Sequence, residues 1–314
     1  MPPAASCGCT PNGSRSTVEI AGVMLPILAM VFGSLTQATN VLLMRRATQH
    51  GQRAGWLATF LFAAAAIPCV GLVVLRGFQW DAIAVGLGLL GGVLALASFS
   101  CALRAMEHGP VGSTGLFLWM APLGPIILGQ WRHWDVPLST SRVIGLGLAV
   151  VALVLCALGP DWSAVLTNRA RGRWLALAIP AFVLNAANQA CQKALSGLHH
   201  EEFMTAFNLV YFLGGAVYGL IFCGLRARSP AGPPGLWRRE ITVGFWCGLI
   251  LSAQMFALLY AVSHLAAAVV FPTTSILPLV LASFGARWVF GERLAALDWT
   301  GIALACLALV LINR

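Results

Sequence analysis

The stretch VGLGLLGGVLALASFSCALRAMEH at residues 85–108 is followed, 156 positions later, by ITVGFWCGLILSAQMFALLYAVSH at residues 241–264. Each stretch is largely apolar and long enough to cross the hydrocarbon core of a bilayer as one helix. Sliding the chain by 156 residues without a gap sets 85–156 against 241–312 and matches 17 of the 72 positions. About 6 matches are expected by chance in so biased a composition, so the sequence predicts an internal duplication. Matched residues include Gly88/Gly244, Gly92/Gly248, His108/His264 and Pro122/Pro278.

The composition excludes an ordinary soluble domain. Hydrophobic residues make up 59% of the 314 residues and charged residues only 9%, whereas a soluble domain carries about 25% charged residues. The net charge of +9 comes almost wholly from arginines that stand between long apolar runs. This spacing favours membrane lipid headgroups over nucleic acid as the partner.

Hydropathy divides the chain into ten segments that can span a membrane. They lie at 19–44, 56–76, 82–106, 110–131, 142–159, 173–195, 203–225, 240–263, 266–288 and 297–313. We therefore expect an all-α integral membrane protein of ten transmembrane helices. A disordered polar tail (1–18) precedes a first five-helix repeat (19–159) and a second (173–313). Because five is odd, the second repeat enters the membrane inverted, and inverted repeats are common in secondary transporters.

Cysteine and histidine give no sign of a metal or cofactor site. Seven of the nine cysteines fall inside apolar segments, where cysteine packs as a small hydrophobe. Cys7 and Cys9 form a lone CxC motif, which is a weak signal. The His199–Glu202 run is interpreted as a solvated loop, because adjacent side chains on a helix point in different directions. We expect no cofactor and no bound metal.

Polar residues inside the apolar segments are the candidate substrate-binding residues, because polar groups are costly in lipid unless they face an interior or a cavity. Amides lie at helical spacing on the first span and on its counterpart, the sixth. The duplication also aligns a serine with a glutamine on spans three and eight, and a tryptophan with a serine on spans four and nine. The candidates are Gln37, Asn40, Ser98, Trp119, Asn185, Asn188, Gln189, Gln254, Thr274 and Ser275. Interhelical hydrogen bonding, at about 0.6 kcal/mol per contact, is the alternative role.

The coupling mechanism stays open at this point. Every Asp and Glu lies at a span end or in a loop, so no acid in mid-bilayer is available to carry a proton. His108 and His264 occupy equivalent turns, where they either sit at the interface or take part in coupling. Arg104 either attracts an anion or extends to the headgroups.

The end of the chain carries a family signature. Phe290-Gly291-Glu292-Arg293-Leu294, followed by an apolar segment beginning Trp299-Thr300-Gly301, resembles the EamA-type branch of the drug/metabolite transporter superfamily over about residues 19–313. The equivalent place in the first half reads Asp135-Val136-Pro137-Leu138 and lacks the Gly-Glu pair. The resemblance implies a central cavity lined by spans one, three, four, six, eight and nine, and export or exchange of metabolites. It also implies termini in the cytoplasm, whereas the distribution of basic residues favours the reverse.

The sequence therefore predicts a secondary transporter of a small organic solute in the cell membrane, with the bacterial inner membrane as the expected location. We expect a monomer or homodimer with no enzymatic activity. A membrane-embedded enzyme acting on a lipid-linked substrate, or a membrane subunit that senses a solute without moving it, are the alternatives.

Overall fold

The chain is a helical bundle, described here as a computed structural model of residues 13–49, 54–108, 118, 121–135, 137–157, 170–226, 236–290 and 296–312. No strand occurs among these residues, and the expected all-α class is confirmed. The helices are α1 (Gly13–Gln49), α2 (Ala54–Arg76), α3 (Ala82–His108), α4 (Leu123–Trp131), α5 (Thr140–Ala157), α6 (Ala170–Gly197), α7 (Met204–Arg226), α8 (Leu236–His264), α9 (Ala267–Phe290) and α10 (Ala296–Ile312). Helix α1 thus includes residues 13–18 of the expected tail, and residues 1–12 lie outside the described structure.

Six of these helices are long and apolar enough to cross a membrane. The six spans are Met24–Met44, Gly55–Leu75, Ala82–Ala105, Gly172–Gly197, Met204–Leu225 and Arg238–His264. Helices α5, α9 and α10 contain shorter apolar stretches. Large apolar side chains also cover the outside of the bundle: Leu75 is 83% exposed and Leu225 is 76% exposed. Such a surface suits lipid, so the chain is a multi-pass membrane protein, while ten crossings remain a prediction.

Helix packing intertwines the two halves of the chain. In the described structure, the most extensive helix contacts all join one of the first five helices to one of the last five. These contacts occur in matching sets when each helix is exchanged for the helix five places away. Helix α3 packs on α6 as α8 packs on α1, α3 packs on α7 as α8 packs on α2, and α1 packs on α9 as α6 packs on α4. Helices α2 and α7 pack on each other, as do α5 and α10.

Glycines allow α3 to approach α7 closely. A Cβ atom added to Gly88 would lie 2.6 Å from the carbonyl oxygen of Phe207, and one added to Gly92 would collide with the carbonyl oxygen of Tyr211. Two small residues four positions apart let helix backbones come together, as in the GxxxG motif of membrane helices.

The same arrangement recurs where α8 crosses α2. A Cβ atom added to Gly244 would lie 2.8 Å from the Cβ atom of Phe60, and one added to Gly248 would collide with the Leu61 carbonyl oxygen. Gly244 and Gly248 are the residues that the duplication aligns with the two glycines of α3. The repeated glycines therefore have the same packing role in both halves.

Aromatic side chains fill the contact between α2 and α7. Phe62 stacks on Tyr211 with 5.9 Å between ring centroids and meets Phe212 edge-on at 6.1 Å. Phe212 is fully buried, Phe62 is 3% exposed and Tyr211 is 5% exposed. This cluster forms the largest apolar core of the described structure.

Helix α4 ends in a Schellman motif. The Trp134 amide donates to the Gly129 carbonyl at 2.9 Å, and the His133 amide donates to the Gln130 carbonyl at 3.2 Å. This motif needs a left-handed residue after the helix, usually glycine, and here His133 takes that place with a φ of 56°. The chain therefore folds back on α4 directly after the helix.

Helix α6 ends with the same motif at the same end of the bundle. The His200 amide donates to the Leu195 carbonyl at 3.0 Å, and His199 adopts a φ of 60°. The Trp134 ring lies against Gly197, so the two helix ends touch. We call this region the α4/α6 end of the bundle.

Candidate functional site

The amides of α1 lie on the helix face that meets α8. Gly33, on the same face, would place a Cβ atom 3.8 Å from the backbone oxygen of Gln254. Gln37 and Asn40 follow at four and seven positions, and both are half-buried. The Asn40 Oδ1 atom is buried and has no hydrogen-bond partner within the described structure.

Helix α6, the counterpart of α1, packs on α3, and Asn188 lies near Gly91 of that helix. Ser98 donates from its hydroxyl to the carbonyl oxygen of Ala181 at 2.7 Å. Asn185 and Asn188 follow Ala181 at four and seven positions. The Asn185 side chain donates to the carbonyl oxygen of Leu118 at 3.2 Å, which ties α6 to the segment before α4.

Helices α1 and α6 are counterparts in the exchange of contacts, since α1 packs on α8 as α6 packs on α3. The candidate amides of α1 and α6 therefore lie on corresponding helices of the two halves.

Asn188 is the most buried of the candidate amides. It is 5% exposed, and its Oδ1 atom accepts a bond from the Gln192 side chain at 3.5 Å. The Asn188 Oδ1 atom and the Tyr211 ring of α7 both lie beside Gly91 of α3. Asn188 is therefore packed where α6 meets α3 and α7, which is the interhelical location that the sequence left as an alternative.

Gln189 and Gln254 are half-buried. The Gln189 Oε1 atom is buried without a hydrogen-bond partner in the part of the chain that is described. An unpaired buried acceptor costs about 1–3 kcal/mol, which water or a solute can recover by donating to it.

The polar residues of α9 are buried, and Thr274 bonds to its own helix. The Thr274 hydroxyl donates to the Val270 carbonyl at 2.8 Å, and Ser275 is 7% exposed. Thr273 is also buried, yet its hydroxyl has no partner among the described residues. Trp119, the candidate from the fourth span, lies outside the described residues.

Two buried polar groups escaped the sequence analysis. Asn208 on α7 is fully buried, and neither atom of its side-chain amide has a partner in the described structure. Lys193 and Asp135 form a buried ion pair with a 2.8 Å separation and side-chain exposures of 4% and 6%. Lys193 is the only lysine of the chain, and this rarity was the one sign in the sequence that it has a special role. Its pairing with Asp135 could not be predicted, because the two residues meet only in the fold.

The remaining basic candidates lie at the helix ends. The Arg104 guanidinium lies 5.3 Å from the centre of the Phe222 ring, where a cation interacts favourably with the aromatic face. His264 is exposed, and its Nδ1 atom lies 2.9 Å from the Tyr260 carbonyl oxygen. The His108 side chain lies outside the described structure.

Comparison with known proteins supports the fold alone. No family model matches the chain, and no curated protein matches it. A solved structure described only as "Crystal structure of protein" is similar with a TM-score of 0.68. The likeness covers 92% of this chain and 98% of that one at 13% sequence identity. The arrangement of helices is thus one that a solved protein also adopts.

Proposed function

We propose that the chain is a secondary transporter of a small organic solute, built from ten membrane crossings in two inverted halves. The observation that carries the proposal is the exchange of helix contacts between helices five places apart. A duplicated, intertwined bundle with polar residues on the counterpart helices α1 and α6 is the architecture in which secondary transporters bind their solutes.

Helix direction supports the inversion. Met30, early in the apolar part of α1, packs with Val262 near the end of α8. Ser196, at the end of α6, donates to the carbonyl oxygen of that same Val262 at 3.3 Å. The early part of α1 and the last turn of α6 thus share one end of the bundle, which means that these counterparts run in opposite directions.

The unpaired polar atoms support a site between the halves. Asn40, Gln189 and Thr273 each keep one buried polar atom without a partner among the described residues. They belong to α1, α6 and α9, three of the six helices expected to surround a cavity. A solute held there would accept and donate hydrogen bonds through neutral amides and hydroxyls, while alternating access exposes it to either side of the membrane.

Membership of the drug/metabolite transporter superfamily, EamA-type branch, belongs to the same proposal. So do residence in the bacterial inner membrane and a monomeric or homodimeric state. The C-terminal Gly291-Glu292 pair and the ten helices of the described residues support the membership.

A metabolite comparison of cells with and without the protein identifies the solute, and counterflow in proteoliposomes then tests the carrier mechanism. We expect saturable uptake that is accelerated when unlabelled solute is loaded on the other side. Solute binding without flux would favour a sensor, and chemical conversion of a lipid-linked substrate would favour an enzyme.

Variants then locate the site. Asn40→Ala and Gln254→Leu are expected to reduce solute affinity by about tenfold, equivalent to the loss of one hydrogen bond to a buried polar group. Thr39→Ala is the matched control on α1, because Thr39 is exposed and bonds to the Leu35 carbonyl of its own helix. Unchanged transport in both site variants, with normal insertion, would remove these residues from the site.

A further inference from the structure

The buried ion pair ties together three helices of the proposed transport site. Asp135 lies just after α4 in the first half, and Lys193 lies in the last turns of α6 in the second half. The Asp135 Oδ1 atom lies 2.8 Å from the Lys193 Nζ atom and 3.5 Å from the amide nitrogen of Ala267, the first residue of α9. One carboxylate oxygen thus joins the end of α4, the end of α6 and the start of α9.

The backbone holds this carboxylate in place. The Asp135 amide donates to the Gly129 carbonyl at 3.4 Å, as part of the fold-back that follows α4. A side chain at Gly129 would collide with the Asp135 carboxylate, and the Trp134 ring covers Gly197. Residues 132–135, held by these backbone bonds and by the ion pair, therefore form a small plug at the α4/α6 end of the bundle.

The energetics allow this closure to be reversible. Burial of two charges removes their hydration, and their mutual attraction repays that loss only when every polar atom is satisfied. Here the Asp135 Oδ2 atom is buried without a hydrogen-bond partner in the described structure. Separation of the pair returns water to both charges, and this hydration offsets part of the attraction that is lost. The amide of Gln189 lies one helical turn deeper on α6 than Lys193.

We propose that the Lys193–Asp135 pair is the gate that closes the transport pathway at the α4/α6 end, and that it separates when the site opens to that side. This inference rests on the proposed transport function. Under this proposal, Lys193 holds the two halves together at the α4/α6 end while the solute site is open to the opposite side of the membrane.

Water access to the site tests the gate without knowledge of the solute. Cysteine introduced by Gln189→Cys is labelled with a membrane-impermeant maleimide, applied to each side of the membrane separately, and the protein without that substitution supplies the background. We expect Lys193→Met and Asp135→Asn each to raise the labelling rate from one side by about tenfold, the size of a typical conformational coupling. Lys193→Arg keeps the charge and is expected to stay within about twofold of the parent.

The exposed Glu202 at the same end supplies the matched control. Glu202→Gln also removes a charge, and its labelling rate is expected to match that of the parent. If Lys193→Met fails to accumulate in the membrane, Asp135→Asn, which keeps the shape of the side chain, decides the question. An unchanged labelling rate in Asp135→Asn shows a static ion pair and overturns the proposal.

The two proposals fail separately. If the protein moves no solute but breaking the pair speeds labelling, the ion pair is a gate in a protein that is not a carrier. If solute counterflow is observed but labelling is unchanged when the pair is broken, the transport proposal stands and the gate proposal is wrong.

Discussion

Gly88→Ala tests the crossing of α3 and α7, and Gly86 on the same helix provides an internal control. A Cβ atom at position 88 would lie 2.6 Å from the Phe207 carbonyl oxygen, whereas ordinary contact begins at 3.4 Å. A Cβ atom at position 86 would meet nothing within 4 Å. The first substitution therefore forces the two backbones about 0.8 Å apart, a gap at which facing atoms lose a quarter to a half of their attraction.

These distances predict that the two substitutions change the free energy of unfolding in opposite directions. Overpacking of this kind costs about 1–3 kcal/mol, while replacement of a glycine inside a helix gains about 0.5–1 kcal/mol. We expect Gly88→Ala to lower the free energy of unfolding by about 1–2 kcal/mol. Gly86→Ala, which adds a methyl group facing lipid, should raise it by up to about 1 kcal/mol.

Reversible unfolding of the purified protein in mixed detergent micelles, followed by circular dichroism, measures the difference. Gly244→Ala, the equivalent change in the second half, should resemble Gly88→Ala, because its Cβ atom would lie 2.8 Å from that of Phe60. Equal unfolding midpoints for Gly86→Ala and Gly88→Ala would refute the close crossing.

Three further substitutions probe single contacts, each by the same unfolding measurement. His199→Gly should stabilise the protein by about 1 kcal/mol, since glycine adopts the left-handed conformation of that position (φ 60°) without strain. A loss of stability would show that the imidazole of His199 makes a stabilising contact. Ser98→Ala should cost about 1 kcal/mol by removing the 2.7 Å bond to the Ala181 carbonyl, and Thr39→Ala on the exposed face of α1 should change stability less. Asp81→Ala should lower the free energy of unfolding by about 1–2 kcal/mol. The Asp81 carboxylate accepts from the Ala84 amide at 2.6 Å at the start of α3 and lies 3.2 Å from the His200 ring. An unchanged unfolding midpoint would mean that water replaces this cap.

Hydropathy and the duplication predicted the helical class and the equivalence of the glycine pairs, because both follow from residue type and local spacing. The repeat placed Gly88 opposite Gly244 in the alignment, and the fold gives both the same close approach to a neighbouring helix. The sequence also put amides on α1 and α6, but one ungapped slide of 156 residues could not align those helices.

Side-chain environment was beyond reach from the sequence. Whether Asn188 lines a cavity or packs between helices depends on the residues around it, and the Tyr211 ring of α7 lies beside the same glycine, Gly91, as the Asn188 Oδ1 atom. The ion pair between Asp135 and Lys193 joins residues 58 positions apart, and no periodicity relates them. Burial of the pair is produced only when α4 and α6 end side by side.

The interlocking of the halves also constrains biogenesis. When the ribosome has delivered α1–α5, the glycine face of α3 still lacks α7, and α2 still lacks both α7 and α8. The nascent first half therefore cannot mature as a unit ahead of the second, unlike the successive domains of many large proteins. A chain severed between Ala157 and Ala170 should yield two fragments that depend on each other, each rescued from degradation only when both are inserted into the same membrane.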